Sequence, residues 1–218
     1  MSDTSYRTID AALGDGVDVE LEIKRSRFLT RLRRVATEAA ARAVVEERRS
    51  VFYDARHHCS AFVLGPDART ARSSDDGEPA GTAGIPMLQV LQKNALTDVV
   101  AVVTRYFGGI KLGAGGLVRA YSDAVAGAIE AAGTREVRLS QILRVDVDYA
   151  SAGAIEDQLR GLVLPSGTPV VVDGVEWSDM AHIMVAIPFS EQDELGTALA
   201  TMSAGSLTAV PVGQRWVG

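Results

Sequence analysis

RYFGGIKLGAGGLVRAY, residues 105–121, joins two elements that the flanking sequence makes legible. Upstream, DVVAVVTRY (residues 98–106) is an unbroken apolar run, the pattern of a central strand covered on both faces. Downstream, Leu117, Tyr121, Ala124, Val125, Ala128 and Ala132 fall on one stripe of a helix from about Gly113 to Ala132, with Gly133 as its stop. Five glycines lie in between: Gly108, Gly109, Gly113, Gly115 and Gly116. Glycine permits positive φ and close approach by another chain or a ligand. The free N–H groups at a helix start favour an anion, and Arg105, Lys111 and Arg119 would surround it with positive charge. These eight residues are the leading candidates for binding an anion or nucleic acid. A tight strand-to-helix connection would use the same glycines without any ligand. The stretch has neither the Gly-Lys-Ser/Thr end of a P-loop nor the G-x-G-x-x-G spacing of a dinucleotide turn.

Outward from this stretch, SSDDGEPAGTAGIP (residues 73–86) clusters Asp75, Asp76 and Glu78. Three carboxylates could hold a hard cation, although the spacing is not that of an EF-hand. Alternatively Asp-Gly and Glu-Pro shape a loop and Thr82 caps the next helix, or the acids pair with Arg105 or Arg119. In DARHHCSAF (residues 54–62), His57 and Cys59 share a strand face. No third group orients them as a nucleophile and base would require, so Cys59 reads as a buried small residue and no catalytic residue is assigned. Neither a metal nor a cofactor is expected. Residues 24–49 hold nine Lys/Arg, Lys24 and Arg27 among them, against three Glu. That excess could draw phosphate or an acidic surface, or simply line a solvated face.

Alternation predicts a hairpin of residues 17–23 and 26–35, then a helix capped by Thr37. A strand over 58–64, a polar loop over 67–81 and a helix with Pro86 in its first turn follow. Residues 134–137 read as a linker. Beyond it the order strand, helix, strand, strand, helix, strand (138–148, 151–163, 168–177, 180–188, 190–203, 206–217) is the split β-α-β-β-α-β arrangement, Ser190 capping its second helix. The expected division is a flexible start (1–16), a first domain (17–135) and a second (136–218).

The net charge of −6 lies wholly in the last part, where residues 138–218 carry 4 basic and 10 acidic side chains. With 47% hydrophobic and 23% charged residues the chain is not a disordered one. No run of about 18 apolar residues could cross a membrane, and the polar start does not read as a secretory signal. A lone cysteine suits a reducing compartment, so a cytoplasmic location is expected.

Taken in order, these segments resemble the N-terminal domain of the IMPACT/YigZ family. The family pattern has a Lys-Ser-x-Phe start, an Ala-x-His-x-Cys strand, the acidic Gly/Pro loop and the long glycine-rich stretch. Here these are Lys24 to Phe28, Ala55 to Cys59, Ser73 to Pro86 and Arg105 to Tyr121; Arg25, inserted before Ser26, departs from the pattern. The resemblance implies an α+β fold. Its first domain would be like the second domain of a small-subunit ribosomal protein and domain IV of elongation factor G. Bacterial members add a ferredoxin-like βαββαβ domain similar to domain V of that factor. Eukaryotic members regulate translation by competing for a large activator of the kinase that senses amino-acid starvation. The implied role is a non-enzymatic regulatory or binding protein near translation, with RNA, the ribosome or a translation factor as partner. The other readings are an enzyme acting on a phosphorylated or carboxylated small molecule, through Asp76, His57 and Arg105, and a protein-interaction module.

Overall fold

The apolar run of residues 98–106 sits where its composition demands, in the middle of a sheet with helices on both faces. The computed structural model describes residues 5–218 and divides into two units, Tyr6–Glu136 and Val137–Gly218, Ser5 belonging with the latter. The first unit runs β1 (Ser5–Ile9), β2 (Gly16–Ile23), β3 (Ser26–Arg34), α1 (Glu38–Val51), β4 (His57–Leu64), β5 (Thr70–Ser74), α2 (Gly84–Lys93), β6 (Val99–Tyr106) and α3 (Ala114–Ala132). Five strands form an antiparallel sheet in the order β2-β3-β6-β4-β5. Along β6 the side chains alternate between two cores. Val99, Ala101 and Val103 join Met87, Leu91, Leu117 and Tyr121 beneath α2 and α3, while Val100 and Val102 join Ala41 and Val44 of α1. The register sets His57 of β4 opposite Arg105 of β6, with Phe28 of β3 on its other side.

Three sequence expectations need correction here. Residues 1–4 of the expected flexible start lie outside the described residues, but Ser5–Ile9 is a strand with Thr8 and Ile9 fully enclosed. Arg7 fastens it with two hydrogen bonds to Thr134 Oγ1. The polar loop of residues 67–81 contains edge strand β5, whose sequence TARSS offers no apolar alternation because an edge needs little burial. The expected linker 134–137 is instead the beginning of β7 (Thr134–Val147).

The second unit continues with α4 (Tyr149–Arg160), β8 (Val171–Trp177), β9 (Ala181–Ile187), α5 (Gln192–Ser203) and β10 (Ala209–Val217). Its strands lie antiparallel in the order β10-β7-β9-β8. Leu143, Val145, Ile183 and Val185 form a core with Leu159, Leu195 and Leu199. The expected strands at 168–177 and 206–217 begin later than their apolar residues suggested, at Val171 and Ala209. The cap position of α5 is Glu191 rather than Ser190, because a single 3-10 turn, Phe189–Glu191, precedes the helix.

Two turns hold the first unit's hairpin against the glycine-rich stretch. Between β2 and β3, Lys24 and Arg25 take φ of 49° and 66°, the left-handed backbone of a two-residue hairpin turn. A Cβ on Gly108 would stand 2.0 Å from the Arg25 carbonyl carbon, so glycine is required there. At Gly115 a Cβ would meet nothing within 4 Å. Gly108→Ala is therefore expected to lower unfolding free energy by about 2 kcal/mol or more, whereas Gly115→Ala should be neutral or stabilising by up to roughly 1 kcal/mol. Denaturant midpoints of the two variants check this, and equal midpoints would contradict the close approach.

Candidate functional site

The loop between β5 and α2 is built around one carboxylate. Asp75 accepts from the backbone N–H groups of Gly81 (2.8 Å), Ala83 (3.0 Å) and Gly84 (2.8 Å), and so does the capping expected of Thr82. Thr82 instead donates its hydroxyl to the Pro79 carbonyl at 2.6 Å. Partial burial pushes the Asp75 carboxyl up, but the three amides outweigh it and hold it below the usual range. Asp76 Oδ1 pairs with Arg49, and its Oδ2 accepts from the His58 N–H at 2.7 Å. Glu78 turns inward. Its Oε1 accepts from Arg105 at 2.6 Å and from the Tyr121 hydroxyl at 2.8 Å, with both charged side chains under one tenth exposed. The three acids thus serve three separate tasks, and among the described residues no cluster is placed to hold a metal ion.

Above this pair opens a cleft of about 560 Å³ between the end of β6, the start of α3 and the segment before β4. Leu112, Leu117 and Pro79 give it apolar walls, and Glu78, Arg105 and His57 line it as well. Lys111 and Arg56 bring exposed cations that make no ion pair among the described residues. Phe107 stands beside them, 58% exposed. Asp54 also lines the cleft and takes a 2.6 Å hydrogen bond from Tyr106, whose phenol it pushes up. Gly113, with φ of 73°, precedes α3 without any side-chain cap, so the first amides of that helix are left free at the cleft.

Of the eight leading candidates, Arg105, Lys111 and Gly113 line this cleft and Arg119 does not. Arg119 lies exposed along its own helix, Nε donating to the Gly115 carbonyl at 3.3 Å. Arg105 is already neutralised by Glu78 and cannot be a free anion receptor. Gly109 has φ of 84°, and a Cβ on Gly116 would press on Leu112. The basic stretch also loses its free charge. Arg27 pairs with Glu20, Arg31 and Arg48 with Asp18, Arg33 with Glu47, and Arg42 with Glu38. Lys24 and Arg25 alone in that stretch make no hydrogen bond or ion pair among the described residues. Arg56, Asp54 and Phe107 were not singled out from sequence. The β4–β6 register is the signal that gathers them, and register is not visible in one strand alone.

Cys59 is buried, its Sγ 3.0 Å from the Asp75 carbonyl and 3.3 Å from the Tyr121 hydroxyl. Burial pushes the thiol up to about 12, the opposite of an activated nucleophile. In the second unit, His182 Nδ1 lies 2.6 Å from Asp146 and its Nε2 2.7 Å from Ser178 Oγ, a serine-histidine-aspartate relay whose members stand too far apart in sequence to be read as a motif. It lacks what acyl transfer requires. The Ser178 N–H is spent on the Met180 carbonyl, and the Asp179 carboxylate sits 2.7 Å from the serine hydroxyl, where an oxyanion would be repelled. The relay therefore fastens the β8–β9 turn.

Comparison with known proteins agrees with the first unit's motifs. The family model described as the Impact N-terminal domain matches residues 24–129. IMPACT family member YigZ of Escherichia coli is 38% identical over 201 residues, 90% of this chain and 94% of the relative. IMPACT family member YvyE of Bacillus subtilis is 48% identical over 141 residues, a match that spans 65% of either chain. A crystal structure of a hypothetical protein aligns over 96% of this chain and 98% of its own, with a TM-score of 0.60 and 36% identity. The chain belongs to the IMPACT family.

Two outcomes follow from the site's hydrogen bonding. Asp75→Asn is expected to cost about 1.5–3 kcal/mol at neutral pH. Because the Asp75 carboxyl is held low, its contribution is complete above the unfolded-state range and fades as pH falls through the folded value. The deficit of the variant should accordingly shrink in acid, which urea titrations across pH will read. Cys59 should react with a thiol reagent at mildly alkaline pH far more slowly in the native protein than in denaturant; equal rates would contradict its enclosure.

Proposed function

We propose that the protein is a binding protein of the translation apparatus, and that the cleft beside Lys111 contacts RNA. The observation that carries this reading is the grouping of unpaired cations, an exposed aromatic ring and free helix amides at one opening. Phosphates bind such cations and amides, and unstacked bases lie on aromatic faces. Tyr53, 86% exposed and next to Asp54, extends the aromatic surface. The overall acidity does not oppose it, because the acidic excess belongs to residues 138–218. Membership of the family supports a regulatory role near translation, the ribosome or a translation factor presenting the RNA. The cytoplasm is the matching compartment, and no helix among the described residues is long and apolar enough to cross a membrane.

The element order and the strand order β10-β7-β9-β8 support a ferredoxin-like class for the second unit. The likeness of the two units to domains IV and V of elongation factor G is part of the same proposal and rests on family resemblance. One observation favours an enzyme instead: the cleft gathers His57, Glu78 and Arg105, although Asp76 is held outside it by Arg49 and His58. The pairing of Arg105 with Glu78 leaves that reading without a free central cation.

Binding of single-stranded RNA should weaken steeply with salt, and Lys111→Ala with Arg56→Ala should flatten the logarithmic salt slope by roughly 0.7 per lost phosphate contact. Arg119→Ala, outside the cleft, serves as the control and should change little. Co-sedimentation with ribosomes from the native host gives the second readout. Absence of binding at low salt, or indifference to the double substitution, would overturn the reading.

A further inference from the structure

Two hydrogen-bond acceptors that line the cleft are left without a partner among the described residues. Glu78 directs both of its protein hydrogen bonds to Oε1, so Oε2 accepts nothing, although the side chain is only 4% exposed. His57 Nδ1 lies 2.9 Å from the Asp76 carbonyl, which can only accept, so this nitrogen carries the proton. In the neutral ring Nε2 then has a free lone pair, and no described residue donates to it. The side chain as a whole is nearly enclosed, so a donor to Oε2 has to reach it through the cleft that Glu78 lines.

From this we infer that the cleft selects an unstacked RNA base bearing an amino group, namely cytosine, adenine or guanine, over uracil. This rests on the RNA reading above and sharpens it. An exocyclic amino group carries two N–H donors, matching in number the two vacant acceptors. A carboxylate accepting from the cytosine amino group is a known form of base readout. Uracil presents a carbonyl oxygen at that position, and two acceptors brought together repel. Phe107, 58% exposed, offers a face for the same base, while Lys111, Arg56 and the first amides of α3 meet the adjoining phosphate. The remaining carboxylate of the lining, Asp54, is occupied by the Tyr106 hydroxyl. Three cations, Arg56, Arg105 and Lys111, face two acids, Asp54 and Glu78, so the cleft as a whole still favours an anionic ligand.

The test compares short oligocytidylate and oligouridylate of equal length, by fluorescence anisotropy on the full chain at low salt and neutral pH. The cytidylate is expected to bind roughly tenfold more tightly. Glu78→Gln should bring the ratio toward one, because the amide donates to a uracil oxygen as readily as it accepts. His57→Ala should reduce the ratio without disturbing the buried pair, and so keeps the test intact if Glu78→Gln fails to fold. Lys111→Ala should weaken both oligomers alike and leave the ratio unchanged. Equal or tighter binding of oligouridylate would overturn base selection while sparing the RNA reading. A ratio that survives both Glu78→Gln and His57→Ala would overturn the assigned residues, and no binding of either oligomer would overturn both proposals.

Discussion

Arg105 and Glu78 meet 2.6 Å apart with their side chains 7% and 4% exposed, and four elements close around them. Arg105 comes from β6 and Glu78 from the loop after β5, while Tyr121 of α3 donates to the same carboxylate oxygen. Phe28 of β3 sets its ring edge-on to Tyr121 at 5.2 Å and lies beneath the Arg105 guanidinium at 5.5 Å. An exposed ion pair contributes little to stability, but removing one member of a buried pair leaves an uncompensated charge at a cost of about 3–5 kcal/mol. The pair's value here is positional. It fixes the height of the acidic loop against the sheet, and with it the floor of the cleft. That same commitment removes Arg105 from the supply of free cations.

Charge is where the sequence was least legible. Nine cations in 26 residues look like an electrostatic surface when read along the chain. Strand pairing changes their meaning: β2 brings Asp18 and Glu20 alongside β3, so Arg31 and Arg27 find carboxylates across the ladder. Glu47 of α1 holds Arg33 of β3, and Glu38 holds Arg42 one turn further along α1 itself. Linear charge density cannot anticipate the pairs of Arg31 and Arg33, whose carboxylates lie 13 and 14 residues away, whereas Glu38 and Arg42 stand at the i,i+4 spacing of one helix face. The cations that do remain unpaired at the cleft, Arg56 and Lys111, stand in segments with modest local charge. Their freedom is a consequence of strand ends and turns, where no neighbouring strand supplies an acid.

The fold was legible where burial imposes a period. The continuous run of β6, the alternation of β2 and the stripe of α3 each announce the faces they cover, and Val99 to Val103 divide between two cores as such a run requires. It was illegible where hydrogen bonding alone makes the element. β5 is a polar edge, β1 is five residues paired with β7 that bring only Ile9 to the core, and the start of β7 carries Arg135 and Glu136. Capping misled for a related reason. Thr82 stands next to α2 in sequence, but Asp75, several residues earlier, reaches the free amides once the loop folds back. A carboxylate accepting three N–H groups outcompetes a hydroxyl that can accept fewer and carries no charge.

The five glycines of the stretch from Arg105 to Tyr121 turn out to answer different demands, which one motif reading could not separate. Gly108 is fixed by the Arg25 backbone lying against it, and Gly109 and Gly113 by positive φ. Gly116 is fixed by the proximity of Leu112. Gly115 answers none of them: its φ is helical and open space surrounds it. A glycine within a helix costs roughly 0.5–1 kcal/mol relative to alanine, and here the fold gains nothing in return. Of the five, it is therefore the one whose replacement by alanine neither a close contact nor a positive φ opposes.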